Sequence, residues 1–173
     1  MRCFIAIDIP MLKKTDDFLN EVKKGGKIKT IKKENFHITL NFLGEIDQES
    51  CNNVMEKLSS IGCKEFKIQL KGCGAFPNVD RPRVVWIGIN SEILIELMKK
   101  IDDKLSSLNF KKSNKNPHLT IGRVKGPYSF KSIYDKWKDT DFGEMEVKKF
   151  ILKKSILTAN GAIHETIREY QLK

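Results

Sequence analysis

Two short segments of this chain follow the same pattern, and that repetition limits the fold more than any other feature. His37-Ile38-Thr39-Leu40 and His118-Leu119-Thr120-Ile121 both read His-x-Thr-x, and each lies in a run where apolar and polar residues alternate. Phe36, Ile38, Leu40 and Phe42 mark the apolar side of the first run, which ends near Gly44; the second covers 118–124. A period of two is the signature of a strand buried on one face. Each copy therefore sets an imidazole and a hydroxyl side by side on one face, with the apolar residues pointing to the core. The chain holds three histidines and seven threonines in 173 residues, so the repetition is not a by-product of composition. The third histidine, His164, also has a threonine two places on, Thr166, but Glu165 breaks the apolar alternation. It is expected to contact a ligand rather than to belong to the pair.

The surroundings of the two copies repeat as well. Residues 2–8 predict a strand ended by Pro10, and helical spacing from Met11 to Val22 predicts a helix over 11–24 closed by Gly25-Gly26. Asp47 is placed to cap a helix reaching about residue 60, and Phe66, Ile68 and Leu70 alternate as a strand. A loop with Gly72, Gly74, Pro77 and Pro82 is expected next. The second half predicts a strand at 84–89, an amphipathic helix from Ser91 to Leu108, the strand at 118–124 and a short helix at 130–137. Closing strands are expected at 145–157 and 163–172. No linker separates the halves, so 1–173 is expected to form a single domain of two similar lobes sharing a cleft, in the α+β class. Strand-helix alternation also fits a parallel α/β sheet, whereas the clean inside-outside alternation favours antiparallel strands covered on one face.

Charge narrows the partner. Lys and Arg number 32 against 22 Asp and Glu, a net +10, which suits a polyanion. Part of the excess is local: six lysines and no acid lie between Val22 and Lys33, and no acid lies between Lys104 and Tyr134. The seven basic residues of the second stretch, Lys115 and Arg123 among them, flank His118 in sequence. No run of 18 apolar residues occurs, so no membrane partner is expected. The start Met1 to Asp8 is too short and too soon charged for a signal peptide, and a cytoplasmic location is expected. Cys3, Cys51, Cys63 and Cys73 form no CxxC pair, which argues for reduced, partly buried thiols and against a zinc site.

At these residues the chain resembles the two-histidine (2H) phosphoesterases, and within them the LigT-like RNA 2′,3′-cyclic phosphodiesterases, also called 2′-5′ RNA ligases. The resemblance runs through Arg2-Cys3-Phe4-Ile5-Ala6-Ile7, Asn35 to Glu45, Gly74-Ala75-Phe76-Pro77, Pro82 to Trp86, Pro117 to Arg123 and the stretch from Ser155 to Gly161. Members often carry tyrosine where His164 stands. The resemblance implies a bilobal duplicated fold, with two antiparallel sheets facing a central cleft and helices outside. It implies metal-independent hydrolysis of RNA 2′,3′-cyclic phosphate ends to 2′-phosphomonoesters, with no cofactor. RNA ends or cyclic nucleotides would be the substrates, fragments of transfer RNA among them by analogy, and a monomer is expected. It also implies that His37 protonates the departing O3′, that His118 orients water, and that Arg123 contacts phosphate.

The chemistry agrees with the residue types. Opening a cyclic phosphodiester needs a base for water and an acid for the leaving oxygen, and two imidazoles with ordinary pKa near 6.5 can divide those tasks. Thr39 and Thr120 can donate to the non-bridging oxygens. Arg123 has the wrong parity to share the face of His118 and Thr120, unless a bulge at Gly122 turns it. Phe4 and Phe76 are candidates for contact with a base or sugar, and Trp86 and Trp137 are expected in the core. Two rivals stay open: 2′-5′ ligation by the same site run in reverse, and a non-catalytic module that grips RNA or a nucleotide.

Overall fold

The alternation that sets histidine and threonine outward sends Ile38, Leu40, Leu119 and Ile121 into the interior, where all four are fully buried. A computed structural model describes residues 1–173. The elements run β1 (Arg2–Asp8), α1 (Lys13–Lys23), β2 (Ile28–Thr30), β3 (His37–Glu45), α2 (Gln48–Leu58), β4 (Phe66–Phe76) and β5 (Val84–Asn90). Then come α3 (Glu92–Leu105), β6 (His118–Val124), α4 (Lys131–Trp137), β7 (Asp141–Val147), β8 (Lys149–Thr158) and β9 (Gly161–Gln171). Asp47 and Ser91 cap α2 and α3 as their positions predict, accepting from the backbone N–H of Ser50 and Leu94.

Every strand pairing is antiparallel, and the order is β7-β4-β5-β6-β3-β1-β8-β9, with β2 added beside β6. The two expected sheets are thus two halves of one curled sheet. They meet at a single pair of residues, Ile38 on β3 and Leu119 on β6. The order has the same plan from either end: an outer strand, two inner strands, then a histidine strand at the centre.

The halves of the sheet are not the halves of the sequence. β4 lies before the midpoint of the chain but pairs with β5, and the C-terminal hairpin returns so that β8 pairs with β1. The helices interlock the lobes further. α1 packs with α4 and against β2 and β7, tied by Glu21 to Lys136 and to the Trp137 indole. α3 packs on α2 and β3. One cluster of 37 buried apolar residues spans both lobes.

Several expectations need correction. The segment expected as a loop after residue 70 continues β4 to Phe76, across a bulge where Gly72 adopts φ 71°. A Cβ there would lie 2.7 Å from the Lys138 carbonyl oxygen, so glycine admits the neighbouring chain. The expected strand 145–157 is two strands broken at Lys148, and the three-residue β2 is too short to show a period. Finally, Phe42 is not on the core side. Trp86 and Trp137 are partly buried at the edge of the core rather than inside it. The four cysteines are free, and three of them are buried.

Candidate active site

Both histidines are aimed by the same device. The His37 Nδ1–H donates to the Asn35 carbonyl at 2.7 Å, and the His118 Nδ1–H donates to the Asn116 carbonyl at 3.0 Å. A carbonyl only accepts, so each ring carries its proton on Nδ1 and turns Nε2 outward. The antiparallel bridge Ile38–Leu119 sets the flanking residues opposite each other, His37 beside Thr120 and Thr39 beside His118. The histidine–hydroxyl contact that forms is within one strand, His37 Nε2 lying 3.1 Å from the Thr39 hydroxyl.

Beyond the histidines, both strands bulge at the same place. On β6 the register slips at Ile121, so that Gly122 turns inward and Arg123 turns to the polar face. The expected bulge at Gly122 is present, and glycine is required there for another reason as well. A Cβ would lie 2.6 Å from Ile28 Cγ2 and 2.9 Å from the Lys29 carbonyl oxygen. β2 can therefore close onto β6 and pair Lys29 with Arg123. On β3 the slip falls at Leu40. Asn41 turns inward, 2% exposed, and Phe42 turns outward, 49% exposed.

Asn41 is held inside by an acid. Its Nδ2 donates to Asp102 of α3 at 2.7 Å, and Asp102 also accepts from the Ser113 N–H and hydroxyl and from Lys115. Burial alone would raise the Asp102 carboxyl, but the bonds from Lys115, Ser113 and Asn41 outweigh it and hold it below the usual carboxylate range. Lys115, which the sequence sets among the free charges near His118, is thus taken up by Asp102. The network ties β3 to the loop that leads into Asn116 and His118.

His37, Thr39, Thr120 and Arg123 line one cavity of about 490 Å³ between the lobes. Its wall also includes Arg2, Lys29, Lys32, Asn35, Phe42 and His164, and contains no Asp or Glu. His118 and Phe76 lie outside this wall, with their ring centroids 5.1 Å apart and Trp86 6.1 Å from His118. Phe4 is in the wall but only 4% exposed, because its ring packs on His37 at 5.1 Å and on His164 at 4.9 Å. It supports the histidines and leaves no face open to stack on a base. No group of three or more His, Cys, Asp or Glu side chains suited to holding a metal ion gathers in the chain, and no helix is long and apolar enough to cross a membrane.

Burial pushes His37 below the ordinary histidine value. The charges of Lys153 and His118 push the same way, against the Asn35 carbonyl and Asp8. Lys153, itself nearly buried, is paired with Asp8 at 2.7 Å. His164 is pushed down to about 4, first by burial and then by the charges of His37 and Lys153, so it is neutral near pH 7. The sequence marks His164 only by Thr166; its place in the wall comes from the β8–β9 hairpin, whose Ala162 carbonyl accepts from Asn35 Nδ2 at 3.1 Å.

A family model described as LigT like Phosphoesterase matches residues 11–86 and again 87–164, one copy around each histidine. The chain belongs to the LigT-like phosphoesterases. Among relatives in this family, the RNA 2′,3′-cyclic phosphodiesterase of Methanocaldococcus jannaschii is 48% identical over 98% of this chain and 100% of its own length. The enzyme of the same name from Archaeoglobus fulgidus is 40% identical over 99% of this chain and 100% of its own. A Thermus thermophilus crystal structure superposes with a TM-score of 0.81 at 25% identity, covering 99% of this chain and 98% of the other. Ligand-free E. coli LigT shares the LigT-like fold, with a TM-score of 0.78 at 20% identity over 99% and 97% of the two chains.

Proposed function

We propose that this chain hydrolyses the 2′,3′-cyclic phosphate at the end of an RNA, leaving a 2′-phosphomonoester and a free 3′-hydroxyl. Water attacks phosphorus as His118 Nε2 takes its proton. The new O–P bond forms while the P–O3′ bond breaks, and His37 Nε2–H gives its proton to the departing O3′. Thr39, Thr120 and Arg123 donate to the non-bridging oxygens as charge builds there.

The observation that best supports this reading is the pair of Nδ1-anchored histidines on adjoining strands, with His37 and both threonine hydroxyls in the wall of an acid-free cavity. The division of roles has local support. His118 Nε2 has no protein partner, which leaves its lone pair for water, whereas His37 Nε2 lies 3.1 Å from the Thr39 hydroxyl at the cavity. In the free chain burial favours neutral His37, and an anionic phosphodiester in a wall without acids favours its imidazolium. The relatives' name and the LigT-like family favour the same substrate.

The test is an oligonucleotide ending in a 2′,3′-cyclic phosphate, with the 2′- and 3′-phosphate products separated. Release of a 3′-phosphate, or no turnover at all, contradicts the reading, and tight binding without turnover reduces the site to a phosphate grip. The same proton positions serve 2′-5′ joining when the 5′-hydroxyl of a second RNA replaces water and O3′ leaves as before, so incubation with two RNA halves, one ending in a cyclic phosphate and one in a 5′-hydroxyl, tests joining.

A further inference from the structure

Each histidine takes its aim from a carbonyl two residues earlier, so whatever holds that carbonyl decides where the ring points. For His37 the support is local. Asn35 closes a 3₁₀ turn, Lys33–Asn35, and its side chain is fastened to the Ala162 carbonyl at 3.1 Å. For His118 it is not. Asn116 is exposed in a segment, 109–117, that forms neither helix nor strand. No backbone–backbone hydrogen bond leaves residues 110–117, and the Asn116 N–H donates to the Asn114 carbonyl inside the loop at 2.8 Å. β3 and β6 bridge at a single pair of residues, so the seam between the lobes does little to steady the loop beside it.

One buried group spans that seam. Asp102, 4% exposed on α3, accepts from Asn41 of β3 at 2.7 Å and from the Ser113 N–H and hydroxyl at 3.1 and 3.0 Å. Lys115 closes on the same carboxylate and also donates to the Ser113 carbonyl at 2.8 Å. A carboxylate is tolerated in the interior only while such donors surround it, so the loop is drawn onto Asp102 instead of being left in water. We infer that Asp102 is a positioning residue for the reaction. Through Ser113 and Lys115 it holds the Asn116 carbonyl in place, and that carbonyl keeps the His118 proton on Nδ1 and the Nε2 lone pair free. Without this clamp the ring turns, the proton divides between the two nitrogens, and the fraction of His118 able to act as base falls. The kinetic consequence rests on the reading of His118 as the base; the tautomer does not.

The experiment uses Asp102→Asn, which keeps the volume of the buried side chain and releases Lys115. Imidazole nitrogen NMR at about pH 8, above the ordinary histidine value and without substrate, reads the tautomers. The wild type shows His118 as the Nδ1–H form, and the variant shows a mixture at His118 with His37 unaltered. An unchanged His118 in the folded variant overturns the inference even where activity falls. On a cyclic-phosphate RNA the variant loses about 10- to 100-fold in kcat, with KM held within about twofold. Added to His118→Ala, the same substitution costs less than about twofold more, because it acts through a ring that is already gone. A partly unfolded chain would lose equally in both backgrounds, and equal losses overturn the inference. A shifted tautomer with kcat intact supports the clamp and contradicts His118 as the base. Amide exchange on the wild type decides the matter where the variant does not fold. The Ser113 N–H is protected while those of Lys112 and Asn114 are not, and equal exchange along the loop overturns the inference.

Discussion

His37 and His118 stand on equivalent strands, and each anchors Nδ1 on the carbonyl two residues before it, yet they sit in different surroundings. His37 is desolvated, pressed by Phe4 and His164, and opens on a deep basic cavity. His118 lies outside that cavity wall, beside Phe76 and Trp86, with Nε2 unpartnered. Five residues after each histidine the lobes differ again, Phe42 in one and Arg123 in the other. A duplicated motif thus supplies matching geometry, and the unmatched surroundings divide the chemistry. Pairs of titratable groups in unlike environments are the usual route to separate acid and base roles.

The most severe way to break the comparison is to remove one histidine. His37→Ala and His118→Ala should each lower kcat by about 10²- to 10⁴-fold on a cyclic-phosphate RNA. The double variant should be little worse than either single one, because paired groups act as a unit. Additive losses would mean that the histidines act separately.

Arg123→Gln should cost less, about 10- to 100-fold in kcat/KM, as expected for a charge-assisted bond to phosphate. An unaltered value would return Arg123 to the surface charge. Gly122→Ala probes the bulge that aims it. With Ile28 and the Lys29 carbonyl so close, β2 must shift, and urea unfolding should show a loss of about 1–3 kcal/mol. A neutral result would mean that β2 is not held against β6.

The gentlest probe is titration of the imidazoles by NMR. His164 should titrate near pH 4 and His37 below its ordinary value, and inorganic phosphate should raise His37. The sign for stability follows. The unfolded chain takes up the His164 proton near pH 6.5, whereas the folded chain resists it until about 4. The folded state therefore loses stability as pH falls across that window and recovers none of it below. His164→Leu should flatten that part of the pH–stability curve; an unchanged slope would place its origin elsewhere.

Much of the site was legible in the chain because alternation is local. His37, Thr39, His118 and Thr120 were readable from period two, and the glycine at 122 signalled the bulge that turns Arg123. Phe42 was misplaced by the same rule. Nothing local shows that Asn41 will be drawn inward, since the pull comes from Asp102, far along the chain on α3. Lys115 was miscounted as a free charge for the same reason.

The sequence by itself determined the strand type, the two histidine-threonine faces, the helix caps and the basic balance, since each follows from neighbours a few residues apart. Only the tertiary structure decided which strands make up each lobe. Sheet pairing joins β4 to the second histidine strand's lobe and the two C-terminal strands to the first, and no local period encodes such long-range partners. It also decided that the cavity opens beside His37 and not His118, because the cavity wall is assembled from β1, β2, β3, β6 and the β8–β9 hairpin, which meet only when the sheet curls.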